Sequence, residues 1–146
     1  RTTMMMTDRV LKAEVAVPAQ STRGRVLLVE DDELVRGALE IVLSERLEVV
    51  TAPSAEAALE RFVAGSYDVL VTDLGLPGRN GDDLRRALCE VDPGLTALLI
   101  TADELCDTDP RLEGFESWWQ KPLFDLDSLL DRVEAVAQDN RRRRAG

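Results

Sequence analysis

The most restrictive feature of this chain is a set of short apolar runs with no polar alternation. Val26-Leu27-Leu28-Val29 is the first of them. A continuous run of this length marks a strand covered on both faces. Val49-Val50-Thr51, Asp68 to Thr72 and Leu95 to Thr101 repeat the pattern, and Trp118-Trp119 falls in a fifth such segment. Between the runs lie helical stripes. Leu34, Val35, Ala38, Leu39, Ile41, Val42 and Leu43 form one, with Asp32 as its N-cap. Pro53 to Val63 forms a second, stopped by Gly65, and Asp82 to Val91 a third, ended by Asp92-Pro93-Gly94. Leu126 to Ala137 is the last, capped by Asp125, with Phe124 placed to staple against Leu129. Strands alternating with helices at this spacing require a parallel sheet with helices on both faces, joined by right-handed crossovers.

One connection is irregular. Asp103 to Pro110 carries no helical stripe; Asp109 and Pro110 could open a helix, but Gly114 closes it almost at once. The expectation is a shortened fourth helix of one or two turns after a loop. Residues 1–24 read as an N-terminal tail or linker, with a weak alternation from Lys12 to Val17 that stops at Pro18. Residues 25–138 read as the domain. Residues 139–146, with Arg141-Arg142-Arg143-Arg144, read as a basic, solvated C-terminal tail.

Composition removes several functions. The net charge of −10 argues against nonspecific nucleic-acid binding by the body of the domain. The chain has no histidine, which excludes Ser-His-Asp catalysis, histidine metal sites and histidine acid–base chemistry. Cys89 and Cys106 are not in a CxxC spacing and read as inert, reduced thiols of a cytoplasmic protein. No apolar run approaches the roughly 18 residues of a membrane span.

The chemistry gathers at strand ends. Glu30 and Asp31 follow strand one, and Asp73 ends strand three before the turn Leu74 to Gly81. In a doubly wound five-stranded sheet of order 2-1-3-4-5, strands one and three meet at the topological switch point, where such sheets place their ligands. Three carboxylates then converge, and mutual repulsion would raise a pKa unless a cation intervened. Hard oxygen ligands select Mg²⁺. Thr101 ends strand four and Lys121 follows strand five, so a hydroxyl and an ammonium can reach the oxygens of a phosphoryl group on Asp73. The set points to an aspartate that is itself modified, its carboxylate acting as nucleophile. Pro122 is expected to be cis.

At these residues the chain resembles the response-regulator receiver domains of two-component signalling, and among them the chemotaxis single-domain regulator. The resemblance runs from about Gly24 to Gln138. It rests on Val29-Glu30-Asp31-Asp32, Thr72-Asp73-Leu74-Gly75-Leu76-Pro77-Gly78, Leu99-Ile100-Thr101-Ala102 and Lys121-Pro122, which come in the family's order. It implies a flavodoxin-like fold and a signalling domain that catalyses only its own phosphorylation and dephosphorylation. Asp73 would be the phosphoacceptor. Glu30, Asp31, Asp73 and the backbone carbonyl of Gly75 would hold Mg²⁺. Thr101, Ala102 and Lys121 would serve phosphate binding and switching. Trp118 stands where the family usually has a Tyr or Phe switch aromatic, a departure that questions a simple rotamer switch. The short fourth helix is a second departure and implies altered docking of the output partner.

The implied partner is a sensor histidine kinase or histidine phosphotransfer domain, which would carry the phosphohistidine this chain lacks. Neither nucleic acid nor membrane is expected as a partner, and the state is expected to be monomer or weak dimer. The alternative context is the C-terminal receiver of a hybrid histidine kinase, suggested by the non-Met start and the Lys12–Pro18 stretch. A transcription-factor context is not expected, since no DNA-binding segment follows Gln138. An aspartyl-phosphate phosphatase is a remote alternative, because Gly75 stands where such an enzyme needs a second Asp. A flavin carrier is disfavoured by the acids after strand one, which would repel a phosphate monoester.

Overall fold

The computed structural model describes residues 23–145. The Lys12–Pro18 stretch and almost all of the 1–24 linker lie outside the described residues. Five parallel strands, β1 (Arg25–Val29), β2 (Glu48–Ala52), β3 (Val69–Asp73), β4 (Thr96–Thr101) and β5 (Phe115–Gln120), form one sheet. The order is β2-β1-β3-β4-β5, as expected. Among the described residues four α-helices accompany it: α1 (Glu33–Leu43), α2 (Ala55–Arg61), α3 (Gly81–Val91) and α4 (Leu126–Ala145).

Successive strand residues face opposite ways, which is why β1 reads as an unbroken apolar run. Val26 and Leu28 join Val69, Val71, Leu98 and Ile100 against Leu39 and Leu43 of α1 and Leu129, Leu130 and Val133 of α4. Leu27 and Val29 join Leu70 and Ala97 against Ala55 and Ala58 of α2 and Leu84 and Leu88 of α3. The two cores clamp β1 and β3 from both sides, so the carboxyl ends of these strands are held in fixed register. Among the described residues no helix is long and apolar enough to cross a membrane.

Three local expectations change. The α1 stripe is narrower than the sequence suggests. Leu39 and Leu43 are buried, but Leu34 is 85% and Ile41 72% exposed, because one helix face cannot turn all seven apolar side chains inward. The staple does not form: Leu129 is fully buried, whereas Phe124 is 91% exposed. Asp125 does cap α4, accepting from Ser128 N at 3.0 Å. The second helix starts two residues later than Pro53, because Ser54 takes the cap and accepts from Ala57 N.

The largest change concerns the arginine run. Rather than forming a tail after Ala137, the chain stays helical to Ala145. Buried Asn140 donates to the Asp68 carbonyl at 2.8 Å. Arg144 meets the Asp92 carboxylate at 2.9 Å, and Arg141 lies 3.5 Å from that of Asp68. These acids sit at the amino edge of the sheet, where Asp68 also accepts from Arg25 N and Asp92 from Gly65 N. Arg141 and Arg144 are therefore paired with acids that sequence distance concealed, while Arg142 and Arg143 face Asp139 on their own helix.

The fourth connection shrinks further than expected, to one 3₁₀ turn at Pro110–Leu112 capped by Asp109. Gly114, at φ +90°, then turns the chain into β5, and the Arg85 guanidinium occupies the space its missing Cβ leaves.

Candidate functional site

The site lies at the carboxyl ends of β1 and β3. β1 ends at Val29, and Glu30 follows with its N–H donated to Ala52 of β2 at 3.1 Å. Its carboxylate is fully buried and accepts from Asp32 N at 3.0 Å. Asp32 is committed elsewhere: its Oδ1 accepts from Leu34 N and Val35 N at the start of α1. Of the three successive acids, one is a helix cap and two belong to the site. Asp73, the last residue of β3, is 6% exposed. Carboxylate oxygens of Glu30, Asp31 and Asp73 all lie within 4.8 Å of one another.

Lys121 closes the cluster from β5. Its Nζ lies 2.7 Å from Glu30 Oε1 and 2.8 Å from Asp73 Oδ2. Burial pushes the Glu30 carboxyl up to about 7, with the Asp73 charge adding to the rise against the pull of Lys121 and the Asp32 N–H. Burial works to lower the Lys121 ammonium, but its hydrogen bonds to Asp73 and Glu30 prevail and hold it above the ordinary lysine value. The Lys121 backbone is anchored to β4, since its N–H donates to the Thr101 carbonyl at 2.7 Å. The bond to Pro122 is cis, as expected. The other Asp73 oxygen, Oδ1, accepts from Gly75 N at 3.2 Å.

Thr101 is buried at the end of β4, and its Oγ1 accepts from Asp103 N at 3.0 Å. Ala102, next to it, is exposed. The donor set suits a small hard cation: three carboxylates, one of them fully buried, with a single ammonium between two of them.

Residues 26–134 match the model of the response regulator receiver domain. The chain belongs to that family. Two-component response regulator PhoP of Pseudomonas aeruginosa is 43% identical over 117 residues, which is 77% of this chain and 51% of that protein. Transcriptional regulatory protein CutR of Streptomyces coelicolor is 36% identical over 119 residues, 78% of this chain and 54% of that one. The chain thus spans about half the length of these relatives. A solved CheY-like receiver domain from Methanospirillum hungatei shares the fold at 20% identity and a TM-score of 0.75, covering 84% of this chain and 99% of its own. Response regulator TrrA from Thermotoga maritima, solved with Mg(2+)-BeF, superposes with a TM-score of 0.70 at 27% identity, covering 77% and 98%.

Both tryptophans lie in β5 of this receiver domain, as the sequence reading places them. Trp118 is half-buried and pairs in register with Leu99. Trp119, also half-buried, packs on the α1–α4 core. An apolar groove of about 510 Å³ beside Lys121 is walled by Leu34, Leu39, Ala102, Leu123 and Leu126.

Two residues at the site escaped the sequence reading. Arg36 donates from Nη1 to the Glu30 carbonyl at 2.9 Å. Its only sequence signal is position, one helical turn after the Asp32 cap. Gly81 opens α3 and donates to the Leu74 carbonyl at 2.8 Å. A Cβ there would stand 2.1 Å from the Asp73 carbonyl oxygen, so only glycine lets the β3–α3 turn fold back so closely.

Proposed function

We propose that this receiver domain accepts a phosphoryl group on Asp73 from a partner phosphohistidine, in a Mg²⁺-dependent reaction that changes its partner interactions. The observation that carries this reading is the Asp73 carboxylate at a strand end, packed between two further acids and the Lys121 ammonium. An Asp73 oxygen attacks phosphorus, the phosphorus–nitrogen bond breaks, and the imidazole leaves as its electron pair returns to nitrogen. The product is an acyl phosphate. Glu30, Asp31, Asp73 and the Gly75 carbonyl would hold the cation. Mg²⁺, when bound, supplies positive charge against the phosphoryl oxygens.

The chain's own groups do the rest. Lys121 orients Asp73 and neutralises charge on the transferred oxygens. Thr101, presently bonded to Asp103 N, gives that contact up to bind a phosphoryl oxygen, and the Ala102 backbone assists. Trp118, beside Leu99 on the neighbouring strand, would be the aromatic that registers the change. A hydrolase reading is not favoured, because Gly75 offers no acid–base group two residues after Asp73.

The partner would be a sensor histidine kinase or histidine phosphotransfer domain. The names of the matched relatives favour a response-regulator context over the hybrid-kinase one. Titration with beryllofluoride and Mg²⁺ tests the site. Tryptophan fluorescence should change in the wild type and stay flat in Asp73→Asn; a flat wild type, or an equal response in the variant, contradicts the reading.

A further inference from the structure

We propose that Arg36 is a positioning residue for the cation-binding acids: its guanidinium fixes the Glu30–Asp31 peptide and so aims Asp31 at the site. The inference rests on the reading that Glu30 and Asp31 hold Mg²⁺.

The argument starts from where the ladder stops. β1 ends at Val29. Glu30 still donates its N–H to Ala52 of β2, but its carbonyl lies past the end of the strand. The donor that meets this carbonyl is a side chain, Arg36 Nη1, at 2.9 Å. The Glu30 side chain is pinned independently, by Asp32 N on Oε2 and by Lys121 on Oε1. Neither of those bonds fixes the rotation of the Glu30–Asp31 peptide unit. The carbonyl bond does, and that peptide sets the direction in which Asp31 leaves the strand.

Asp31 needs the help more than its neighbours. Glu30 and Asp73 are buried, whereas Asp31 is exposed. Arg36 is well placed to serve, because α1 is anchored at its start by the Asp32 cap and along its length by Leu39 and Leu43. A half-buried guanidinium on a rigid helix loses little freedom in making this bond. Outer partners of metal ligands act in this way in general, and losing one weakens metal binding about tenfold or more.

The sign of the effect separates positioning from plain electrostatics. Removing a positive charge near a cation site should by itself tighten Mg²⁺ binding. Weaker binding in a charge-removing variant therefore reports lost orientation.

The test is calorimetric titration with Mg²⁺ alone, on wild type, Arg36→Gln and Arg36→Met, with a thermal melt of each. The Met variant keeps the apolar stem and removes both donor and charge. Both folded variants should bind Mg²⁺ about tenfold more weakly than wild type. A folded variant that binds as tightly as wild type, or more tightly, overturns the proposal. Failure of both variants to fold makes Arg36 a folding residue and overturns it as well. A wild type that binds no Mg²⁺ overturns the metal reading itself, an outcome distinguishable from the others.

Discussion

Lys121 stands 2.8 Å from Asp73, close enough that the ammonium and the carboxylate share a direct hydrogen bond across 48 positions of sequence. The same Nζ also meets the buried Glu30, so one cation offsets two acids. Removing it should leave two mostly buried carboxylates facing each other. Lys121→Met is expected to lose about 3 kcal/mol of stability near neutral pH, the lower end of the range for a broken buried pair, because the lysine is partly solvated. Mg²⁺ should restore part of the loss. Chemical denaturation with and without Mg²⁺ checks this; an undiminished midpoint in the metal-free variant would contradict it.

Glu30 predicts a pH dependence. Its carboxyl is raised from 4.5 to about 7 in the fold. The folded state therefore holds a proton that the unfolded state has released between these values. Its stabilising contribution is full below about pH 4.5 and is lost as pH rises through about 7. Lys121, held above its ordinary value, contributes steadily across this window and loses its contribution only in alkali. Relative to Glu30→Gln, the metal-free wild type should lose stability between about pH 5 and about pH 8, and its Mg²⁺ affinity should rise over the same interval. Parallel stability curves for the two proteins would count against the raised carboxyl.

Gly81→Ala should disturb the site without touching a charge. The new Cβ would meet the Asp73 carbonyl, and the backbone that carries the phosphoacceptor would have to move. We expect a loss of about 1–3 kcal/mol, typical of overpacking, together with a weakened beryllofluoride response. A variant with wild-type stability and response would show that the turn absorbs the methyl group.

The end of α4 predicts the outcome of a truncation. A chain stopped at Gln138 loses Asn140 from the Asp68 carbonyl and Arg144 from Asp92. The expected cost is about 2 kcal/mol, from one buried hydrogen bond and one partly buried pair. An unchanged melting curve would mean that residues 139–145 behave as the tail their composition suggests.

The two tryptophans can be separated. Trp118 is in register with Leu99, two residues before Thr101, whereas Trp119 belongs to the α1–α4 core. The beryllofluoride signal should survive Trp119→Phe and disappear in Trp118→Phe. The reverse result would assign the response to the core residue.

The order of strands was legible because runs such as Val26–Val29 have only one comfortable home, a strand between two helical layers. The clustering of the acids with Lys121 was legible because strand ends at a switch point bring them to one place. What escaped depends on contacts that leave no local pattern. The Arg36 bond to a carbonyl needs the rotation of α1 about its axis, and the Gly81 approach needs the path of a turn. Arg141 and Arg144 looked solvated because their acids, Asp68 and Asp92, lie 52 or more positions away. Leu34, Ile41 and Phe124 looked buried because apolar character alone does not say which face a side chain takes.

The central claim is that Asp73 carries the phosphoryl group. Its most direct test is incubation with acetyl phosphate and Mg²⁺, followed by intact mass and peptide mapping. The account predicts the gain of one phosphoryl group, lost on removal of Mg²⁺, labile to hydroxylamine, mapped to the peptide containing Asp73, and absent from Asp73→Asn. A wild type that gains no mass, or an Asp73→Asn variant that gains as much, would contradict it.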